Sequence, residues 1–374
     1  MSASPPWRIA LADVLVGDEE RRAVLEVLDS KWLSMGPVTE QFERAFEEVL
    51  GGGHAVAVTN GTAALHLAAA ALGLGPGDEV ICPTLTFVAT AAGMRHTGAE
   101  VRLADSTSSD DFAVDPAEIE RLVGDRTRAV AVVHYGGYPA DVDAIQQIAD
   151  AHGLLVIEDA AHALGAEVGG RPCGLLGAAS CFSFFPNKNM TTAEGGMVVF
   201  RDEDAAAHAR SLRSHGMTTL TWDRHRGHAA SYDVVELGYN YRLDELRAAL
   251  GLAQLARIAE FNRVRAELAE RYRERLESSA FRFPAQGARG KSANHLVVVL
   301  APSAEERESA RERLKERRIQ TSVHYPAIHR FSAYASLDLR LPVAEDIADR
   351  ALTLPLHPGM DDADVDLVCA ALDE

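Results

Sequence analysis

Three short segments of the chain carry side chains able to do chemistry. Each stands where an apolar run gives way to a turn. The first passes through Ser180-Cys181-Phe182-Ser183-Phe184-Phe185-Pro186-Asn187-Lys188-Asn189-Met190-Thr191-Thr192-Ala193-Glu194-Gly195-Gly196, from an aromatic strand through a proline-containing turn to a glycine pair. Most lysines are solvated charges at the surface. Lys188 has polar turn residues for neighbours instead of charges, and a lysine set against a pocket sheds its proton more readily and can form a Schiff base. Ser183, on the strand leading in, can offer its hydroxyl to a phosphate.

The second segment, Glu158-Asp159-Ala160-Ala161-His162, follows the apolar run Leu154-Leu155-Val156-Ile157. A carboxylate at the carboxyl end of a strand in an open α/β sheet points into the crevice where ligands bind. Asp159 there can bind a metal, orient a histidine, or pair with a cationic ring nitrogen. The last role suits pyridoxal 5'-phosphate (PLP), whose pyridine stays protonated beside an ionised carboxylate and so remains an electron sink. Asp159 can also cap a helix beginning at Ala160. His162 can hydrogen-bond the phenolate oxygen of such a cofactor, or it can cap and pack.

The third segment, Thr59-Asn60-Gly61-Thr62, separates a strand from the helical run Ala63–Leu72. Unpaired N–H groups at a helix start attract phosphate. Gly61 lets the backbone come close and Thr62 adds a hydroxyl donor. Alone this is also the pattern of an ordinary capped turn, with Asn60 or Thr62 as the cap.

Positioning these segments requires a sheet whose strand ends converge. From about Val56 to Phe200 short apolar runs alternate with helical periods. Strands are expected at Ala55–Thr59, Glu79–Pro83, Ala129–His134, Leu154–Asp159, Ser180–Phe184 and Met197–Phe200, with helices at Ala63–Leu72, Val142–Ala151 and Ala205–Arg213. That is the pattern of an α/β domain with a largely parallel sheet covered on both faces. After Asn240 the chain reads as a long helical stretch from Leu243 to Ser278. A strand (His295–Leu300), a helix (Ala304–Arg317), a loop around His324–His329 and a final helix from Asp361 follow. A large domain over residues 1–245 and a smaller α+β domain over 246–374 are expected.

The bulk composition narrows the partners. A net charge of −18 over 374 residues argues against nucleic acid, which needs a positive field. The four cysteines, Cys82, Cys173, Cys181 and Cys369, lack metal or disulfide spacing. No apolar run approaches a membrane span and no leader pattern opens the chain, so a cytoplasmic location is expected.

Taken in order, Asn60-Gly61-Thr62-Ala63-Ala64-Leu65, Glu158-Asp159-Ala160-Ala161-His162, Ser183 to Gly196 and Gly238-Tyr239-Asn240-Tyr241-Arg242 resemble the nucleotide-sugar aminotransferase family (DegT/StrS-like). The resemblance runs from Leu33-Ser34-Met35-Gly36-Pro37 to Leu354-Pro355-Leu356-His357. These are PLP enzymes of fold type I, in the aspartate aminotransferase superfamily. The resemblance implies that Lys188 is the Schiff-base lysine and Asp159 the partner of the pyridine nitrogen. It implies Gly61, Thr62 and Ser183 as phosphate ligands and Phe87 as the ring stacked on the cofactor; Phe87 also reads as an ordinary core residue. Asn240 resembles the family residue that reaches the phosphate of the neighbouring subunit, which makes a homodimer with shared sites the expected assembly. One departure is Ala193, where the family pattern has glycine.

The resemblance further implies an amino-acid donor, L-glutamate in most of the family, and a nucleotide-linked keto sugar as acceptor. For the sugar the candidates are His324-Tyr325-Pro326 and His329, which also read as ordinary loop residues; Arg213, a further substrate candidate beside the stretch that follows, also reads as a solvated charge. The stretch Gly216 to His228, with Arg224 and Arg226, is a candidate for meeting the nucleotide. A PLP-dependent sugar dehydratase is disfavoured because such members replace the lysine, typically with histidine. A desulfurase needs an activated cysteine, and Cys173 has no companion feature. A non-catalytic PLP-binding regulator would need an output module. A nicotinamide dehydrogenase needs its glycines after the first strand, whereas Gly51-Gly52-Gly53 precede one.

Overall fold

The computed structural model describes residues 7–219, 231–285 and 289–374. Its centre is a seven-stranded sheet built from β1 (His54–Val58), β2 (Glu79–Pro83), β3 (Glu100–Ala104), β4 (Thr127–Val133), β5 (Leu155–Asp159), β6 (Ala179–Ser183) and β7 (Gly196–Phe200). The strand order is β1-β7-β6-β5-β4-β2-β3. Only β7 runs antiparallel to its neighbours. The carboxyl ends of β1, β5 and β6 therefore open onto one edge, where ligands of open α/β sheets bind.

Alternation along each strand divides the core. Ala55, Ala57, Ile81, Val156, Phe182 and Met197 face one side, packing with Phe42 and Phe46. Val56, Val58, Val80, Ile157, Cys181 and Val198 face the other, packing with Leu65 and Leu67. The covering helices are α1 (Asp18–Ser30), α2 (Pro37–Leu50), α3 (Gly61–Ala71), α4 (Ala89–Arg95), α5 (Pro116–Leu122), α6 (Val142–His152), α7 (Glu203–Arg213) and α8 (Glu245–Ala256).

The six expected strands form within a residue or two of their expected ends. The seventh, β3, was not expected: Arg102 interrupts its apolar run, and on the sheet edge that side chain reaches out to the Leu122 carbonyl at 2.8 Å. The long helical stretch is two helices, α8 and α9 (Ile258–Arg275), joined at Arg257, whose N–H folds back on the Gln254 and Leu255 carbonyls. Beyond it come β8 (Val297–Leu300), α10 (Ala304–Glu316), α11 (Pro342–Arg350), β9 (Ala351–Leu354) and α12 (Asp362–Leu372). β8 and β9 pair antiparallel. A further core joins Ile9, Leu268, Tyr272, Val297, Leu314, Leu354 and Val368.

Candidate active site

The edge where β1, β5 and β6 end holds a cavity of about 280 Å3. Gly61, Thr62, Phe87, Asp159, His162, Ser183, Lys188 and His324 all line it, joined by Tyr325 and Asn187. Residues as far apart in the chain as Gly61 and Tyr325 thus meet in one place, where the strand order brings the turns after β1, β5 and β6 together and the loop at His324 and Tyr325 joins them.

At one end is the start of α3. Asn60 caps the helix, its Oδ1 accepting the Ala63 N–H at 2.8 Å. Gly61 and Thr62 occupy the first helical positions, whose N–H groups have no carbonyl within the helix to bond. A Cβ at Gly61 would lie 2.9 Å from Ser183 Cβ and 3.2 Å from its Oγ. Only glycine lets the helix start and the serine hydroxyl approach this closely, and together they form a cradle for an anion.

Asp159, the last residue of β5, is buried. One carboxylate oxygen accepts the Thr90 hydroxyl at 2.6 Å, which is itself 2.8 Å from Thr86 Oγ1; the other accepts the Ala161 N–H at 3.2 Å. Among the described residues no basic side chain forms an ion pair with it. Burial accordingly pushes its pKa up, against the pull of Thr90, Ala161 and Lys188.

Lys188 sits on the turn between β6 and β7, which closes through Lys188 N–H to the Phe185 carbonyl and Thr192 N–H to the Phe184 carbonyl, both 2.9 Å. Burial lowers its pKa to about 8, opposed by the Asp159 charge. The next residue, Asn189, is clamped: Nδ2 donates to Asn262 Oδ1 at 2.7 Å and the Ala293 carbonyl at 2.8 Å, and Oδ1 is 2.9 Å from His295 Nδ1. The lysine is thereby tied to α9 and to the segment before β8.

His162 is buried, with Nδ1 3.3 Å from the Gly136 amide and Nε2 3.1 Å from the Tyr325 hydroxyl. Its ring packs against that of His295, tilted by 32° with centroids 4.2 Å apart. Burial and the Lys188 charge push both histidines well below the ordinary range, and hold His324 at about 4. His324 Nδ1 is 3.0 Å from Thr353 Oγ1. The Phe87 ring, 54% exposed, stands in the cavity wall 5.8 Å from the Tyr325 ring.

Three expected residues are elsewhere. His329 is buried against the strand-end residue Thr84 (Nδ1 to Oγ1, 2.8 Å) and Glu345 (3.2 Å), so it fastens its loop and does not face the cavity. Arg213 is buried between Glu43 and the Ala57 carbonyl at 2.8 Å, beside a separate cavity of about 290 Å3 that Arg44 and Arg210 also line. Its charge is spent inside the protein. Asn240 is exposed and bridges Ser214, outside the cavity. Arg224 and Arg226 lie outside the described residues. Sequence reasoning overlooked Thr90, Asn189 and His295; Asn189 alone had a signal, its place beside Lys188.

These residues suit PLP. The cradle at Gly61, Thr62 and Ser183 takes a phosphate, and the buried Asp159, which forms no ion pair among the described residues, calls for a protonated ring nitrogen. Phe87 offers an exposed aromatic face, and Lys188 is a partly deprotonated amine in the same cavity.

Among the described residues no helix is long and apolar enough to cross a membrane. Residues 15–373 match the model of the DegT/DnrJ/EryC1/StrS aminotransferase family. The chain is 40% identical over 368 residues to the spore coat polysaccharide biosynthesis protein SpsC of Bacillus subtilis (strain 168), covering 96% of this chain and 94% of that protein. The solved structure of Helicobacter pylori PseC, an aminotransferase involved in pseudoaminic acid biosynthesis, superposes with a TM-score of 0.91 at 31% identity, covering 97% of this chain and 98% of that one. Spr1654 from Streptococcus pneumoniae in its PLP form superposes with a TM-score of 0.90 at 28% identity, covering 97% of each chain. The chain belongs to the DegT/DnrJ/EryC1/StrS aminotransferase family and is a PLP-dependent sugar aminotransferase.

Proposed function

We propose that the protein moves an amino group from an amino acid, L-glutamate, to the keto carbon of a nucleotide-linked sugar. The observation that carries this reading is the shared cavity of Lys188, Asp159 and the Gly61–Ser183 cradle. When bound, PLP supplies an electron sink and stores the amino group between the two halves of the reaction.

Lys188 would hold the cofactor covalently, and its Nζ, once free, takes the proton from the donor Cα and in the second half delivers one to the sugar carbon. A pKa of about 8 suits both directions near neutral pH. Asp159 would hold a proton at the ring nitrogen, kept in place by Thr90 and the Ala161 amide. Gly61, Thr62 and Ser183 would bind the phosphate, Phe87 would stack on the ring and His162 would sit beside it. His324 is the remaining candidate for contact with the sugar. Asn240, exposed and away from its own cavity, would reach the phosphate in a second subunit, which makes the working unit a homodimer. The location would be cytoplasmic.

The near-visible absorbance of the PLP-loaded protein tests the reading. L-Glutamate should bleach the band, and Lys188→Ala should lack both the band and turnover. With dTDP- or UDP-linked keto sugars the bleached protein should recover its band and release an amino sugar detectable by mass. A band that persists with L-glutamate overturns the donor; no band after PLP is supplied overturns the role of Lys188.

A further inference from the structure

Tyr325 lines the cavity, yet none of the roles above uses its hydroxyl. Its Oη is 3.1 Å from His162 Nε2, and the other ring nitrogen decides which atom donates. His162 Nδ1 lies 3.3 Å from the Gly136 backbone nitrogen; a backbone N–H can only donate, so Nδ1 accepts. The ring is neutral, because burial and the nearby Lys188 charge disfavour a second proton, and its one proton is on Nε2. Nε2–H therefore donates to Tyr325 Oη, and the tyrosine's own proton must be given elsewhere. The neighbouring Tyr135 hydroxyl does not take it: that oxygen is buried and makes no hydrogen bond, although the two rings are 6.3 Å apart. Burial also keeps the Tyr325 phenol from ionising in the working pH range. A neutral O–H with a fixed lone pair thus stands in the wall that Lys188 also lines.

We propose that Tyr325, oriented by His162, donates a hydrogen bond to the substrate carbonyl oxygen at the carbon where oxygen and nitrogen are exchanged. The proposal rests on the amino-transfer reading given above. Attack of an amine on a carbonyl builds negative charge on the oxygen, and a preorganised donor stabilises that charge without having to turn toward it. The Tyr325 O–H bond is not broken. His162 has no second proton to pass on, since Nδ1 is engaged with a backbone N–H, so the pair is a donor and not a relay. The same hydrogen bond serves both halves of the reaction, because each passes through a carbonyl compound.

Tyr325→Phe removes the hydroxyl and keeps the ring beside Phe87. The probes are L-glutamate and 2-oxoglutarate, with single turnovers followed through the near-visible band of the PLP-loaded protein. The maximal rate with 2-oxoglutarate should fall about 100- to 1,000-fold, as for loss of one donor to a developing oxyanion. The half-saturating concentration, and the affinity for 2-oxoglutarate by calorimetry, should stay within about threefold, as for an interaction made only in the transition state. The resting band should keep its wavelength and pH midpoint, and the melting temperature should match that of the wild type. Weaker binding at an unchanged maximal rate would place Tyr325 on the substrate carboxylate. A shifted band midpoint would place it on the cofactor, and unchanged rates would make it a packing residue; each of these overturns the proposal. A wild-type band that answers to neither compound would overturn the amino-transfer reading itself, and the proposal with it.

Discussion

Lys188 is held near pH 8 by two opposed forces, burial that disfavours its charge and the Asp159 carboxylate that favours it. The donor half-reaction should therefore speed up by about tenfold per pH unit as pH rises toward 8 and level off above it, as for a base that must be neutral. Rapid-mixing traces of band bleaching across pH 6 to 9.5 would show this. The same depressed value bears on stability. Between about 8 and the ordinary lysine value of 10.5 the unfolded chain binds a proton at this lysine that the folded chain does not, so stability rises with pH through that window. Below 8 both states are protonated and the folded state carries the full cost. Cofactor-free Lys188→Met should then melt at a higher temperature than the wild type at pH 7, with the gap shrinking toward pH 10.5. At this scale, residue type and place made Lys188 and Asp159 legible in the sequence. His295 was not, since its partner His162 is more than a hundred positions away, and Tyr325 read only as part of a loop able to meet the sugar. Arg213 and His329 were selected for their chemistry, but they pair inside the protein with Glu43 and with Thr84 and do not line this cavity.

The turn between β6 and β7 carries the one visible departure from the family pattern, and the backbone gives it a physical meaning. Ala193 has φ of 66°, in the left-handed region that glycine enters freely. Its N–H bonds Thr191 Oγ1 at 2.9 Å, so the turn holds alanine there against a steric cost of about 1 kcal/mol. Ala193→Gly should raise stability by up to about 1 kcal/mol, less what glycine's looser unfolded chain takes back. A denaturant melt would measure it; a clear loss would mean that the methyl group packs usefully. The buried strands were legible because continuous apolar runs bounded by turn residues admit few other readings. The edge strand β3 and the pair α11–β9 were harder to see. Glu100 and Arg102 alternate with Val101 and Leu103, so β3 lacks the continuous apolar run of the inner strands, and the Pro342–Leu354 stretch gains its apolar partners only in the fold. We also propose the two-domain division at residues 245 and 246, which falls at the start of α8; that helix nevertheless contributes Ala248 and Leu255 to the core around Phe42.

For the whole molecule the informative residue is Asn240, which is exposed and does not line the cavity of its own chain. If two subunits complete each other's sites, Lys188→Ala and Asn240→Ala proteins, each inactive or weak alone, should regain activity when subunits are exchanged. Random pairing gives about half mixed dimers with one intact site each, hence about a quarter of wild-type activity. No recovery after verified exchange would show that each chain works with its own residues. Assembly could not be read from local pattern, since periodicity reports how a chain packs on itself.

The place of β1 has a consequence for synthesis. That strand pairs with β7, so His54 lies opposite Phe200 and Val58 opposite Gly196. The phosphate cradle likewise joins Gly61 to Ser183. A ribosome must therefore complete and release β7 before the earliest strand of the sheet finds its neighbour. Contacts of such wide separation form late, after a large loss of chain entropy. Until then the emerging polypeptide holds an unpaired, apolar strand and no pocket. The cofactor can be captured only once the segment bearing the lysine has closed the sheet, so cofactor loading must follow the pairing of the first strand with the last.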